Sequence, residues 1–286
     1  MKKNRLLGYA QKNTLRYIFC FTMLALQIAL RVIAPSLLAR IIDEVVGSKN
    51  YAIFPILLVE MVLAYFSAGL FGYLQELCSD TISKRTSCAL REDVFEAITA
   101  EDGEFFSERT PADLMSRTTS DTDSIGFIFG FCGIFLIEII VLVLSQFGAL
   151  ISVSRKCGIV PLVCLPIIAF LAFRSEKKGD KISDAISDKR ADLNQKASEA
   201  IMGIRTVKSF GKEKKEAEKF DREASLFKNL YRSFDNLWTN WCTPESVIAL
   251  LMVPLAILVG GIEVSKGAMS LGELTMAIQY TNELSW

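Results

Sequence analysis

The chain has 286 residues and no histidine, so the commonest metal ligand and the usual neutral-pH proton carrier are both missing. Its seven cysteines (Cys20, Cys78, Cys88, Cys132, Cys157, Cys164, Cys242) are scattered and form no C-x-x-C pair. That argues against zinc or haem ligation and leaves them as small apolar packing residues. No G-x-x-x-x-G-K-[ST] loop occurs; Gly211-Lys212 is followed by Glu213 and lacks the upstream glycine. The chain as it stands cannot cradle nucleotide phosphates. Lys plus Arg and Asp plus Glu both number 32, so no basic excess points to nucleic acid.

Apolar residues are abundant, at 51% of the chain, with 22% charged residues and a mean hydropathy of +0.33. The two kinds segregate into blocks, and apolar blocks of about 20 residues are the signature of membrane helices. The blocks are Tyr17–Ile42, Tyr51–Leu74, Ser124–Val153, Cys157–Phe173, Trp241–Val264 and Leu271–Trp286. The last would span roughly 24 Å at about 1.5 Å per residue, short of a ~30 Å hydrocarbon core, and reads as a truncated sixth helix of a fragment. Residues 1–16 are basic like the start of a signal peptide, but the apolar run that follows is too long for an h-region and lacks a clear small-x-small cleavage site. They read as an interfacial lead-in, with Leu6, Leu7, Ala10, Leu15 and Ile18 on the apolar side.

The segments after the first, third and fifth blocks hold only Lys49, Arg155, Lys156 and Lys266 of the basic residues. The positive-inside rule therefore puts the N-terminus and the loops of about 75–123 and 174–240 in the cytoplasm. The expected location is a multi-pass plasma membrane of bacterial type. Gln75–Thr99 has no Gly or Pro and carries Leu77, Ile82, Leu90, Val94 and Ile98 at helical spacing. Ser175–Ala200 continues similarly through Ile182, Ile186, Leu193 and Ala197. The membrane helices should run on into the cytoplasm as amphipathic helices, turn and return.

Both turns are patterned. In the first, Gly103 interrupts the descending helix, and Phe105 and Phe106 follow. Thr110-Pro111-Ala112-Asp113 then starts a short helix, about 111–119, with Leu114, Met115 and Arg117, before the ascending helix begins near Ser120. In the second, Gly203 and Gly211 bracket Ile204–Phe210, and Glu213 opens a charged helix. Capped turns and docking elements account equally for such spacing.

These residues resemble the transmembrane domain of ABC (ATP-binding-cassette) exporters, the six-helix half-transporter type. The first tip is similar to the family pattern at Phe105, Phe106, Asp113, Leu114, Ser116, Arg117 and Asp121. The second is similar at Glu199, Gly203, Val207, Lys208, Phe210 and Glu213. Ile41-Ile42-Asp43 resembles the end of the family's first helix, and Leu271-Gly272-Glu273-Leu274 with Gln279-Tyr280 the start of its sixth. Pro111 stands where the family usually has Gly and should stiffen the tip. The resemblance implies an all-α membrane fold over 17–286 whose tips are coupling helices seated on a nucleotide-binding domain. It further implies a second transmembrane half, as a homo- or heterodimer, and ATP and magnesium held by the nucleotide-binding domain. The complete transporter would be an ATP-hydrolysing translocase; no catalytic residue or metal site is expected in this chain.

Charges within spans are costly and usually face an interior path. Gln27 and Arg31, four apart on one helical face, together with Glu60 and Glu138, are the candidate lining of a translocation cavity. Ion pairs of Arg31 with Glu60 or Glu138 would explain the same residues. Gln146 is a further polar residue in the third span, and Arg40 could snorkel or pair with Asp43 or Glu44. The substrate is open among small molecules, lipids and peptides. The rival reading is a non-transporting signalling or scaffold protein that binds a partner with its cytoplasmic helices.

Overall fold

The computed structural model describes residues 4–285. Among the described residues there is no strand. The α-helices are α1 (Asn4–Lys12), α2 (Thr14–Arg40), α3 (Phe54–Thr99), α4 (Gly103–Glu108), α5 (Pro111–Ser116), α6 (Thr122–Phe127), α7 (Gly133–Val153), α8 (Arg155–Met202), α9 (Ile204–Ser209), α10 (Glu213–Leu237), α11 (Thr243–Ser265) and α12 (Leu271–Ser285). Wider π-helical segments at Ile41–Gly47, Arg117–Asp121, Ile128–Cys132 and Trp238–Cys242 extend or join them. Among the described residues, five continuous helices are long and apolar enough to cross a membrane: Thr14–Gly47, Phe54–Thr99, Pro111–Val153, Arg155–Met202 and Glu213–Ser265. The sixth, α12, has 15 residues.

The apolar blocks and their polar extensions thus form single rods, as their uninterrupted helix formers dictate. Of the predicted stripe on α3, Ile82 and Leu90 are buried, Val94 and Ile98 are half-buried, and Leu77 stays exposed. On the lead-in, Leu15 and Ile18 are exposed, while the side chains of Leu6 and Leu7 lie outside the described ones.

The chain divides into two compact units, Met1–Gly158 with Ile257–Leu284, and Ile159–Ala256 with Ser285–Trp286. In the first, α2 packs along α3, and α3 packs on α6 and the following π turn. Cys20, Ile82 and Ile134 form one buried cluster, and Ile41, Val45 and Leu57 another. Buried residues at the α3–α6 seam are small: Ser79, Ser83 and Ser87 on one side, Thr122, Gly126 and Gly130 on the other, each set at four-residue spacing. Such stripes let helix backbones approach closely where lipid supplies no hydrophobic drive between helices.

Two motifs far apart in sequence meet in this unit. Asp43 accepts a hydrogen bond from the Gly272 N–H at 2.8 Å and one from the Ser270 hydroxyl at 2.6 Å. Ser270 in turn exchanges hydrogen bonds with Glu273, a capping box that starts α12. Tyr280 fixes the same helix by donating to the Val32 carbonyl at 2.7 Å. Asp43→Ala should lower the unfolding free energy by about 2–3 kcal/mol, since it orphans donors that bond a charged acceptor. A thermal unfolding midpoint within a degree of wild type would refute that anchor. In the second unit, Trp241 lies against Lys178, at 4.1 Å, and Arg174, at 5.1 Å, a cation-flanked aromatic of the kind that sits at a membrane interface.

Candidate functional site

The first tip is built by two caps. Asp102 accepts from the Phe105 N–H and starts α4, so α3 ends at Thr99, before Gly103, and Gly103 opens a new short helix instead of breaking the descending one. The Thr110 hydroxyl accepts from the Asp113 N–H at 3.2 Å, with Pro111 in the first turn of α5, the cap expected from the sequence. The short helix of 111–119 does not stand apart, however. It runs through the Arg117–Asp121 π turn into α6 and on to Val153 as one rod. No residue there breaks the ladder, because Ser and Thr side chains bond back to carbonyls one turn earlier instead of capping a new helix. Phe105 and Phe106 meet edge to face with 5.5 Å between ring centres, and Arg109 covers Phe105 at 4.6 Å. Asp113 and Arg117 pair at 3.2 Å. Phe106 and Met115 remain exposed, and Leu114 is half-buried.

The second tip is closed by its glycine. Gly211 has φ +58, and the N–H groups of Gly211 and Lys212 bond the carbonyls of Lys208 and Val207. This is a Schellman ending, which needs the left-handed conformation that glycine adopts without strain. It ends α9 and leaves Phe210 72% exposed at its C-cap, beside exposed Lys208, half-buried Val207 and exposed Glu213. Ile201, Met202 and Ile204 are exposed as well. Ile204 lies in the stretch that Gly203 and Gly211 bracket, whereas Ile201 and Met202 close the helical run of α8, where apolar residues are expected to be covered.

Below this tip, α8 and α10 are clamped by ions. Lys189 meets Glu223 at 2.5 Å, their side chains 19% and 20% exposed, and Lys196 pairs with the other oxygen of Glu223. Hydrogen bonds from Lys189 and then Lys196 pull the Glu223 carboxyl from its ordinary value near 4.5 down to about 2, and Glu223 raises the Lys189 pKa. A depressed carboxyl stabilises the fold fully above its unfolded value and loses that contribution as pH falls towards its folded one. The gap in thermal stability between wild type and Glu223→Gln should therefore hold at neutral pH and close between about pH 4.5 and 2. A gap unchanged across that window would contradict the clamp.

Within the apolar region of the first unit lies a crevice of about 240 Å³, bounded by α2, α3 and the Ile128–Val153 stretch. Gln27 and Glu138, two of the four expected cavity residues, line it, joined by Gln75, Glu76, Phe131 and Phe135. Arg31 lies one turn along α2 and pairs at 2.5 Å with Glu283 of α12, not with Glu60 or Glu138. That partner is 252 positions away, and spacing gives no hint of it. Glu60 is exposed on α3 and does not line the crevice. Arg40 pairs with Glu44 at 3.1 Å, which leaves Asp43 for α12. Gln146 is fully buried, with both side-chain polar atoms unpartnered.

The ABC transporter transmembrane region family matches residues 17–286. The uncharacterized ABC transporter ATP-binding protein YknU of Bacillus subtilis is 23% identical over 95% of this chain and 47% of its own length. The multidrug resistance-like ATP-binding protein MdlA of Escherichia coli is 25% identical over 97% of this chain and 48% of its own. The mouse ABC-type oligopeptide transporter ABCB9 is 28% identical over 86% of this chain and 32% of its own. The chain spans about half the length, or less, of these curated relatives. With its all-helical membrane architecture and a family match across nearly its whole length, the chain belongs to the ABC transporter transmembrane region family.

Proposed function

We propose that this chain is the membrane-spanning, substrate-translocating part of an ATP-driven exporter. In this reading its tips receive motion from a nucleotide-binding domain in the same or another polypeptide, and a second transmembrane half completes the path. The observation that carries the reading is the exposure of apolar side chains on two rigidly capped, otherwise charged tips, Phe106 and Met115 on one, Phe210 and Ile204 on the other. Apolar groups left uncovered among charges suit burial in a partner's groove. From Pro111 to Phe131 one continuous rod reaches about 30 Å, so a shift of the first tip is delivered to the crevice wall.

Carboxylates do not face hydrocarbon without large cost, so the crevice face bearing Glu76 and Glu138 belongs on an aqueous path. The nucleotide and its chemistry belong to the ATPase domain in this reading, and the residues here only bind and move. The N-terminus and both tips lie on the cytoplasmic side. Relatives' names span drugs and oligopeptides, so they do not fix the substrate.

The test uses full-length protein freed of native cysteines, with a single cysteine at Met115 or Ile204 and a short bismaleimide. Adducts to the nucleotide-binding domain from both positions are expected. No adduct from either, in protein that still hydrolyses ATP, would refute docking. ATP hydrolysis without accumulation of any solute in vesicles would favour a scaffold.

A further inference from the structure

We propose that the crevice binds an organic cation, with its ammonium or guanidinium group held by Glu76 and Glu138 and its apolar body laid on Phe131 and Phe135. As a transported substrate this ligand rests on the translocation reading above; its binding rests on the geometry alone.

Two carboxylates, Glu76 and Glu138, line the crevice, with the Gln27 amide bonded to Glu138 and the Arg31 charge near it. Among the described residues neither Glu76 nor Glu138 makes an ion pair, and the neighbouring Arg31 is committed to Glu283. A carboxylate among apolar helices is costly unless a cation joins it. Beside the charges, the wall presents amide groups. Gln75 is 7% exposed and lines the crevice. The Gln27 carbonyl oxygen, also on this wall, is buried and has no hydrogen-bond partner. Buried polar groups in native folds are nearly always satisfied, so orphaned ones at a cavity wall mark where a ligand's donors arrive.

The aromatic wall decides what kind of cation fits. Phe131 and Phe135 stack with 5.7 Å between ring centres, and Phe127 continues the ladder at 5.4 Å. Ring faces attract organic cations, and phenyl walls offer nothing to a metal ion that wants several oxygens. The volume, about 240 Å³, falls below the ~300–1,000 Å³ of drug-sized sites, so it takes a headgroup or one ring with its charged substituent.

The experiment measures binding of benzyltrimethylammonium and of its uncharged isostere, neopentylbenzene, to full-length protein in lipid nanodiscs, against empty nanodiscs and without nucleotide. The cation should bind at least tenfold tighter than the isostere. Glu138→Gln should weaken it about tenfold, and Glu76→Gln with Glu138→Gln about a hundredfold, leaving the isostere unchanged. Glu92→Gln on the same helix should change nothing. Equal affinity for cation and isostere in the wild type overturns the proposal even if the variants fail to fold, and so does full cation affinity in the folded double variant. Because no nucleotide is present, failure here leaves the coupling reading standing, and failed coupling leaves this result untouched.

Discussion

Phe210→Ala is expected to cut transport, and ATP hydrolysis stimulated by substrate, by roughly thirtyfold without unfolding the protein. The ring is 72% exposed, so its loss removes little internal packing, and surface changes of that kind usually stay within about 0.5 kcal/mol of stability. Its position is nonetheless fixed: the Schellman ending at Gly211 holds the C-cap in one conformation, so the ring is offered without further ordering cost. An aromatic anchor seated in a partner's pocket contributes ~2 kcal/mol or more, which is about thirtyfold at 25 °C. Phe210→Leu should retain part of the activity and Phe210→Ser none beyond that of alanine. Unchanged transport in Phe210→Ala would mean that the second tip is only a turn.

Gly130→Leu should be the most damaging single change in the fold. A Cβ on Gly130 would lie 2.6 Å from the Ser83 backbone nitrogen and 2.7 Å from its Cα, and one on Gly126 would lie 2.7 Å from the Ser83 carbonyl oxygen. These neighbours are backbone and cannot rotate aside. Overpacking ordinarily costs about 1–3 kcal/mol, and here the whole α3–α6 seam must part, so the cost is at or above the top of that range. Gly130→Ala should lower the unfolding midpoint by several degrees, and Gly130→Leu should give little folded protein in detergent. Ser83→Gly should recover part of the loss in Gly130→Ala by thinning the opposite wall. A normal midpoint for Gly130→Leu would show that the two helices do not approach as described.

The long rods, the cap at Thr110 and the stop at Gly211 were legible in the sequence because each is local. Apolar block length, an N-cap followed by proline, and glycine after a short helix act over a few residues. What escaped was pairing at a distance. Arg31 chooses Glu283 and Asp43 anchors α12 across more than 200 positions, and no helical spacing carries that information. The glycines at 103, 203 and 211 drew attention as breaks, whereas Gly126 and Gly130 lie inside an unbroken helix and act by letting backbones touch. Gln27 and Glu138 stand out in the sequence because polar residues are rare in spans; Gln75 and Glu76, which line the same crevice, do not, because they fall just past the apolar block, where polar residues are ordinary.

Tips that drive the crevice between two exposures must change its accessibility when ATP is present, and one measurement reads that directly. In full-length protein carrying Gln27→Cys as its only cysteine, reconstituted in vesicles, the labelling rate by a membrane-impermeant maleimide is compared with and without ATP and magnesium. A change of at least tenfold between the two conditions, abolished by Phe210→Ala, is predicted. Equal rates in both conditions, in protein that hydrolyses ATP, would contradict it.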